Sequence, residues 1–340
     1  MESSPAIAVT PTTSHCRPNV LIFGVGAVGT CYLHLLLEAG CQVTAVCRSN
    51  YSVAKRHGFT LNSTSFGHHL RHRPCVVREV EDLREMNFDY VLVTTKAFPG
   101  TSPCTAELLQ PVVTSDRTPI AILQNGIGIE EEYESCFPSN PIVSCVVNLH
   151  AVQIHPAVVE MQGLQLLELG PSSPQSRQRR YQQSFMAAAT LRNLILKGGG
   201  KAHLFHDIQP RRWLKLLANA TWNPICALTR INDVSVLHSS SEAVVFVERL
   251  MGEIVDTAHA LGYYCVSLEA AKERLRSTLD QSSSFGWEPS MSADVRRKRS
   301  LEVEAILGNA IRIAKTQNVE VVNLEALYVL ICGLDVSLRE

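Results

Sequence analysis

Apolar and polar positions along this chain keep one rhythm for its first two hundred residues and another afterwards. Residues 20–23, VLIF, form a short unbroken apolar run, and "CYLHLLLEAG" then continues with helical spacing. Short apolar runs bounded by turn formers predict buried strands, whereas recurrence every three to four residues predicts helix. By that rule "CQVTAVCRS" (41–49), "DYVLVTTKA" (89–97) and "TPIAILQNGIG" (118–128) are strands, each with a polar ending. Near residue 207 the pattern turns to long helical periods, and "GGGKAHLFHDI" marks the junction, with Asp207 placed to cap the next helix. Trp213, Leu216, Leu217 and Ala220 form one apolar stripe. A second runs through 241–262 and suits either core packing or a homodimer interface. The predicted fold is α/β: a Rossmann-type dinucleotide-binding domain over 19–207, then an all-helical substrate-binding domain over 208–340. A polar, disordered tail over 1–18 precedes both.

Composition changes this picture mainly by exclusion. A net charge of −1 argues against a nucleic-acid partner or an anionic membrane surface. Eleven cysteines without a CxxC pair read as reduced thiols in a cytoplasmic protein. The first residues lack a basic stretch followed by an apolar core, and no apolar run approaches the ~20 residues that span a bilayer. The basic run RRKR at 296–299 is expected on the solvated face of a helix. In "GHHLRH" (67–72) no neighbouring Cys or acid completes a ligand set, so an exposed basic segment is expected and no metal site is assigned.

Candidate chemistry begins at Gly24, Gly26 and Gly29, a G-x-G-x-x-G between the first strand and the first helix. Gly24 allows the tight turn, Gly26 lets backbone approach a pyrophosphate, and Gly29 lets helix and strand pack closely. Ala27, Val28 and Gly29 open the helix whose free N–H groups would face the phosphates. At the end of the second strand stand Arg48, Ser49 and Asn50, without an acid. A carboxylate there would bind a ribose hydroxyl, whereas a guanidinium suits a 2′-phosphate, so the cofactor read here is NADPH. Lys96 and Asn125 lie at the carboxyl ends of two further strands, where ligands of such sheets bind.

In "WLKLLANATWNPICALT" (213–229), Lys215, Asn219 and Asn223 recur every fourth residue and share one helix face. The pattern alone fits a solvated face as well as a cleft. A resemblance decides between them. Four separated motifs, "FGVGAVG", "VTTKA" with "LQNGIG", "DIQPRRWLKLLANATWNPICALT" and "PSMSADVRRKRSLEVEAILG", resemble in order those of the ketopantoate reductase (2-dehydropantoate 2-reductase) family, over residues 19–333.

The resemblance implies that Lys215 is the catalytic acid and that Glu302 acts beside it, either paired with Lys215 or accepting from a substrate hydroxyl. It implies substrate contacts at Asn219, Asn223 and Ser290, a cofactor contact at Lys96, and a place for Asn125 between cofactor and lysine. The family's substrate-binding "apnG" loop reads "RINDVS" here, with Asn232 or Asp233 at the asparagine position and no following glycine. The expected reaction is NADPH-dependent reduction of ketopantoate to pantoate. A reductase of another branched 2-keto acid, such as 2-ketoisovalerate, and a non-catalytic NADPH sensor are the alternatives.

Overall fold

Strand β1 (Asn19–Phe23) lies between two parallel neighbours, β2 (Gln42–Val46) and β6 (Tyr90–Val93), with Val20 opposite both Val43 and Tyr90. The structure, a computed structural model, describes residues 17–172, 178–279, 286 and 288–340. The tail expected over 1–18 lies outside these apart from Arg17 and Pro18. Helix α1 (Ala27–Glu38) follows β1, and α2 (Tyr51–His57) follows β2. Next come β3 (Phe59–Ser63), β4 (Gly67–His72) and β5 (Cys75–Val77). Beyond β6 the chain forms β7 (Ile120–Ile122), α3 (Glu130–Cys136), β8 (Ile142–His155) and β9 (Val158–Pro171). Helix α4 (Gln178–Lys197) and the short β10 (Ala202–Leu204) complete the sheet region.

Six strands run parallel in the order β5-β2-β1-β6-β7-β8. Their continuous apolar runs are explained by burial on both faces, since Val20, Leu21 and Ile22 have no exposure. The expected parallel sheet is nevertheless a mixed one. β8 returns through Pro156 and Ala157 into β9, and so short a connection forces an antiparallel pair. On its far side β9 carries β3 near its start and β10 near its end, both parallel, and β4 closes the edge antiparallel to β3.

Beyond β10 the described chain is helical. Helix α5 (Gln209–Thr229) is followed by α6 (Asp233–Leu237), α7 (Ala243–Ala260), α8 (Leu268–Leu279) and α9 (Ser290–Arg296). A π-helical turn (Glu304–Gly308) then leads into α10 (Asn309–Thr316) and α11 (Val322–Ser337). Asp207 accepts from the Gln209 amide at 2.9 Å and so serves the first turn of α5. Trp213, Leu216, Leu217 and Ala220 of α5 pack with Leu250, Ile254 and Ala258 of α7, so the α7 stripe is core. None of the helices is long and apolar enough to cross a membrane among the described residues. The ten cysteines among them are all free.

The segment "GHHLRH" is strand β4. His68 and His69 are exposed, but His72 turns inward, its Nε2 lying 3.0 Å from Nδ1 of His34 on α1. Pairing of β4 with β3, which sets His72 opposite the buried Phe59, is why the expectation of a wholly exposed segment fails at this residue.

Candidate active site

The glycine turn has the shape a pyrophosphate requires. Gly24 adopts φ +96°, and a Cβ there would lie 2.3 Å from Thr95 Cγ2. At Gly29 a Cβ would lie 2.8 Å from both the Gly24 oxygen and Thr94 Oγ1, so β1, β6 and α1 approach this closely only without a side chain. Gly26, by contrast, faces open space. It also N-caps α1 with no side chain bonded to the first turn, which leaves the N–H groups of Ala27, Val28 and Gly29 available to an anion. These residues fit a dinucleotide phosphate bridge.

Arg48, just past β2, is exposed and makes no ion pair among the described residues. Its neighbour Asn50 is buried and donates to the Val25 carbonyl at 3.0 Å and to Gln153 Oε1 at 2.8 Å, while Gln153 Nε2 returns a bond of 3.2 Å. Arg297, within the RRKR run, reaches the Gln153 carbonyl at 3.0 Å, so this basic run is more than a solvated face.

Across the cleft, α5 directs Lys215 at the sheet. Its ammonium donates to Asn125 Oδ1 at 2.7 Å and to the Val147 carbonyl of β8 at 2.6 Å. Both acceptors are neutral. Burial, together with the nearby Arg212 guanidinium, pushes the Lys215 pKa down to about 8, against the opposing pull of Glu302 and Glu168. Beside it is a cavity of ≈ 10 Å³, lined among others by Gln124, Asn125, Cys145, Arg212 and Asn219, with space for about one water. Asn219 is only 7 % exposed and makes no hydrogen bond among the described residues, so its amide is available toward this space. Asn223 is spoken for: its Oδ1 accepts from the Met291 amide at 3.4 Å and ties α5 to α9.

Glu302 has a partner other than the one expected. Lys96 holds Glu302 Oε2 at 2.7 Å and Asp294 Oδ2 at 2.8 Å, and Glu302 Oε1 accepts from the Ala97 amide at 2.9 Å. No hydrogen bond joins Glu302 to Lys215. Burial alone would lower the Lys96 pKa, but Glu302 and Asp294 more than offset it and hold the group above the usual lysine range. Asp294, buried and close to Glu302, stays above the ordinary carboxylate value despite Lys96.

Two other expected contacts lie outside the lysine column. Ser290 is exposed at the start of α9, while Ser292, two residues on, is buried with its Oγ unpaired. Asn232 is the N-cap of α6, its Oδ1 accepting from the Ser235 amide at 2.8 Å. The Oδ1 of Asn232 thus serves as a helix cap.

Sequence patterning missed the group beneath the column. Arg212 donates to the Gly126 carbonyl at 2.6 Å and to Ser144 Oγ at 2.6 Å, and pairs with Glu130 Oε1 at 2.7 Å. Glu130 begins α3 and Ser144 belongs to β8, so only the tertiary fold assembles them. The one local signal was an arginine on the same turn as an otherwise apolar stripe. Further support comes from the π turn, where the Ile127 amide donates to the Ala305 carbonyl at 3.0 Å. Gly126, at φ +107°, permits that approach, since a Cβ would lie 2.4 Å from the Ala305 oxygen.

Comparison with known proteins places this site. The pattern defining "Ketopantoate reductase PanE/ApbA" matches residues 20–174, and that of the family's C-terminal domain matches 207–335. The chain belongs to the ketopantoate reductase family. Members are NADP-dependent oxidoreductases acting on a CH–OH group. An uncharacterized protein of Saccharomyces cerevisiae is 28% identical over 352 residues, covering 95% of each chain. A 2-dehydropantoate 2-reductase of Pyrobaculum aerophilum is 29% identical over 247 residues, covering 71% of this chain and 72% of the other. Among solved structures, the 2-dehydropantoate 2-reductase of Methylococcus capsulatus superposes with a TM-score of 0.80 at 28% identity, covering 95% of this chain and 98% of the other.

Proposed function

We propose that this protein reduces 2-dehydropantoate to pantoate, with NADPH as cofactor and Lys215 as the general acid, in the cytoplasm and as a homodimer. The observation that carries the reading is the setting of Lys215. Its ammonium is held between two neutral acceptors, Asn125 Oδ1 and the Val147 carbonyl, and no carboxylate among the described residues is hydrogen-bonded to it. A pKa near 8 leaves it protonated at neutral pH yet close enough to give its proton up.

When bound at the glycine turn, NADPH supplies the hydride. The N–H groups of Ala27, Val28 and Gly29 would hold its phosphate bridge, and Arg48 would pair with the 2′-phosphate. As negative charge develops on the ketone oxygen, the Lys215 ammonium stabilises it and then transfers its proton, completing a secondary alcohol. Asn219 hydrogen-bonds the substrate's polar groups from one turn along α5, and Asn125 steers the lysine. Glu302 acts through Lys96, fixing the end of β6 and the Ala97 amide beside the cofactor cleft.

The test is reduced-nicotinamide consumption by the purified protein, with ketopantoate and 2-ketoisovalerate compared side by side. The two differ by one hydroxymethyl group. A site that hydrogen-bonds this hydroxyl gives a kcat/KM preference for ketopantoate of about 100-fold or more. A preference for 2-ketoisovalerate would move the enzyme to another branched hydroxy acid. Inactivity with both substrates, despite NADPH binding, would remove the proposed substrate.

A further inference from the structure

Away from the cleft, the outer edge of the sheet carries a group of side chains that the reductase chemistry does not use. His34 and Glu38 stand one turn apart on the same face of α1, and His72 reaches them from β4. His34 Nδ1 and His72 Nε2 are 3.0 Å apart, and one carboxylate oxygen of Glu38 completes a set whose ligand atoms all lie within 4.8 Å of one another. We propose that His34, Glu38 and His72 form a three-ligand site for a divalent transition metal of the zinc class, its fourth position open to water.

The donor chemistry suits that ion. Two imidazole nitrogens and one carboxylate oxygen are a zinc ligand set, and tetrahedral bonds of about 2.0–2.1 Å separate two nitrogens by roughly 3.3 Å. The imidazole pair opens by a few tenths of an ångström to admit it. The neutral imidazole is the form that binds metal. His34 is only 6 % exposed, within a stretch of α1 whose Tyr32, Leu33, Leu35 and Leu36 are fully buried. Among the described residues its one hydrogen-bonding contact is the other imidazole, and Phe66 covers it at 5.1 Å between ring centroids.

The third ligand is also held in place. Gly58, at φ +77°, lets the backbone of His72 come so near that a Cβ would lie 2.3 Å from its carbonyl oxygen. Glu38 is exposed at the end of α1, which leaves a path for the ion and its water. A bound ion would fasten the edge strand β4 to the helix whose other end faces the cofactor phosphates. Occupancy therefore stabilises the folded chain.

The test uses the full-length protein, stripped with EDTA and titrated with zinc by calorimetry and with cobalt(II) by absorption. The expected result is saturable micromolar binding of one ion per chain and a higher Tm with zinc. Cobalt should give visible d–d bands without the near-ultraviolet band of a thiolate ligand. His72→Ala, on an edge strand, should keep the metal-free Tm close to that of the parent. Its affinity should fall by at least the roughly 10–100-fold that loss of a mere supporting partner costs a metal site. Glu38→Gln should weaken binding in the same direction. An absence of micromolar binding by the parent overturns the proposal, leaving the histidines a hydrogen-bonded pair. Equal binding by the parent and His72→Ala also overturns it, as does a thiolate band, which would assign the ion to exposed Cys75 or Cys265.

Discussion

Two lysines face the same cleft and are treated in opposite ways. Lys96, at the end of β6, has two carboxylates within 2.8 Å, and its charge is held more firmly than in water. Lys215, on α5, has an amide and a carbonyl for partners, a guanidinium nearby, and a charge held less firmly than in water. Carboxylate partners turn a lysine into a fixed structural cation. Neutral partners and a neighbouring like charge turn the same side chain into a proton donor near neutral pH. The difference lies in what each neighbourhood supplies, since the two side chains are chemically identical.

Substitutions at the two lysines and their partners test this contrast. Lys215→Met is expected to reduce kcat by about 10²–10⁴-fold, the usual worth of a general acid. NADPH affinity, read by nicotinamide fluorescence, should stay within a few-fold of the parent, and a comparable loss of cofactor binding would contradict the assignment. The same substitution should leave Tm unchanged or higher. The depressed pKa means that the cost of burying this charge is absent above the free-lysine value of 10.5 and fully present below about 8.

Lys96→Met should do the reverse to stability. It strands Glu302 and Asp294, both less than a tenth exposed, and should cost about 3 kcal/mol in denaturant unfolding. Here the linkage has the opposite sign: the stabilisation is complete below 10.5 and is lost only as pH rises beyond the ordinary lysine range. Glu302→Gln is milder, because Asp294 remains and the new amide oxygen can still accept from Ala97. With Lys96 40 % exposed to solvent, about 1 kcal/mol is expected. The smallest effect requires no substitution. In the parent, kcat/KM should fall as pH rises through about 8, reaching half its plateau there, and a flat profile to pH 10 would separate the rate from the Lys215 proton.

Features written in contiguous residues were legible in the sequence. The strand, glycine turn and helix at 19–38 follow from local rules, and the four-residue spacing of Lys215, Asn219 and Asn223 places them on one face. What was not legible depended on partners far apart in the chain. Lys96 and Glu302 are separated by 206 residues, and the resemblance suggested Lys215 or a substrate hydroxyl for the glutamate, where the fold supplies Lys96. The Arg212–Glu130–Ser144 group is hidden for the same reason. His72 looked like one of three surface histidines because the acid and second imidazole that meet it lie on another element. Asn232 shows another case: a family position suggests a substrate contact, and the fold also uses its Oδ1 as a helix cap.

The hydrogen bond from Ile127 to Ala305 also constrains how the molecule can move. Together with Lys96–Glu302, Arg212–Gly126 and Lys215–Asn125 it gathers the bonds between the sheet and the helical region at the inner end of the cleft. Asn125 lies two residues from it along the chain. Gln153 lies six residues beyond Val147 on β8, about 20 Å farther out at ~3.3 Å per residue, where Arg297 grips its carbonyl. That outer contact stands apart from the inner cluster, so its loss would loosen the far end of the cleft while the bonds around Asn125 stay in place.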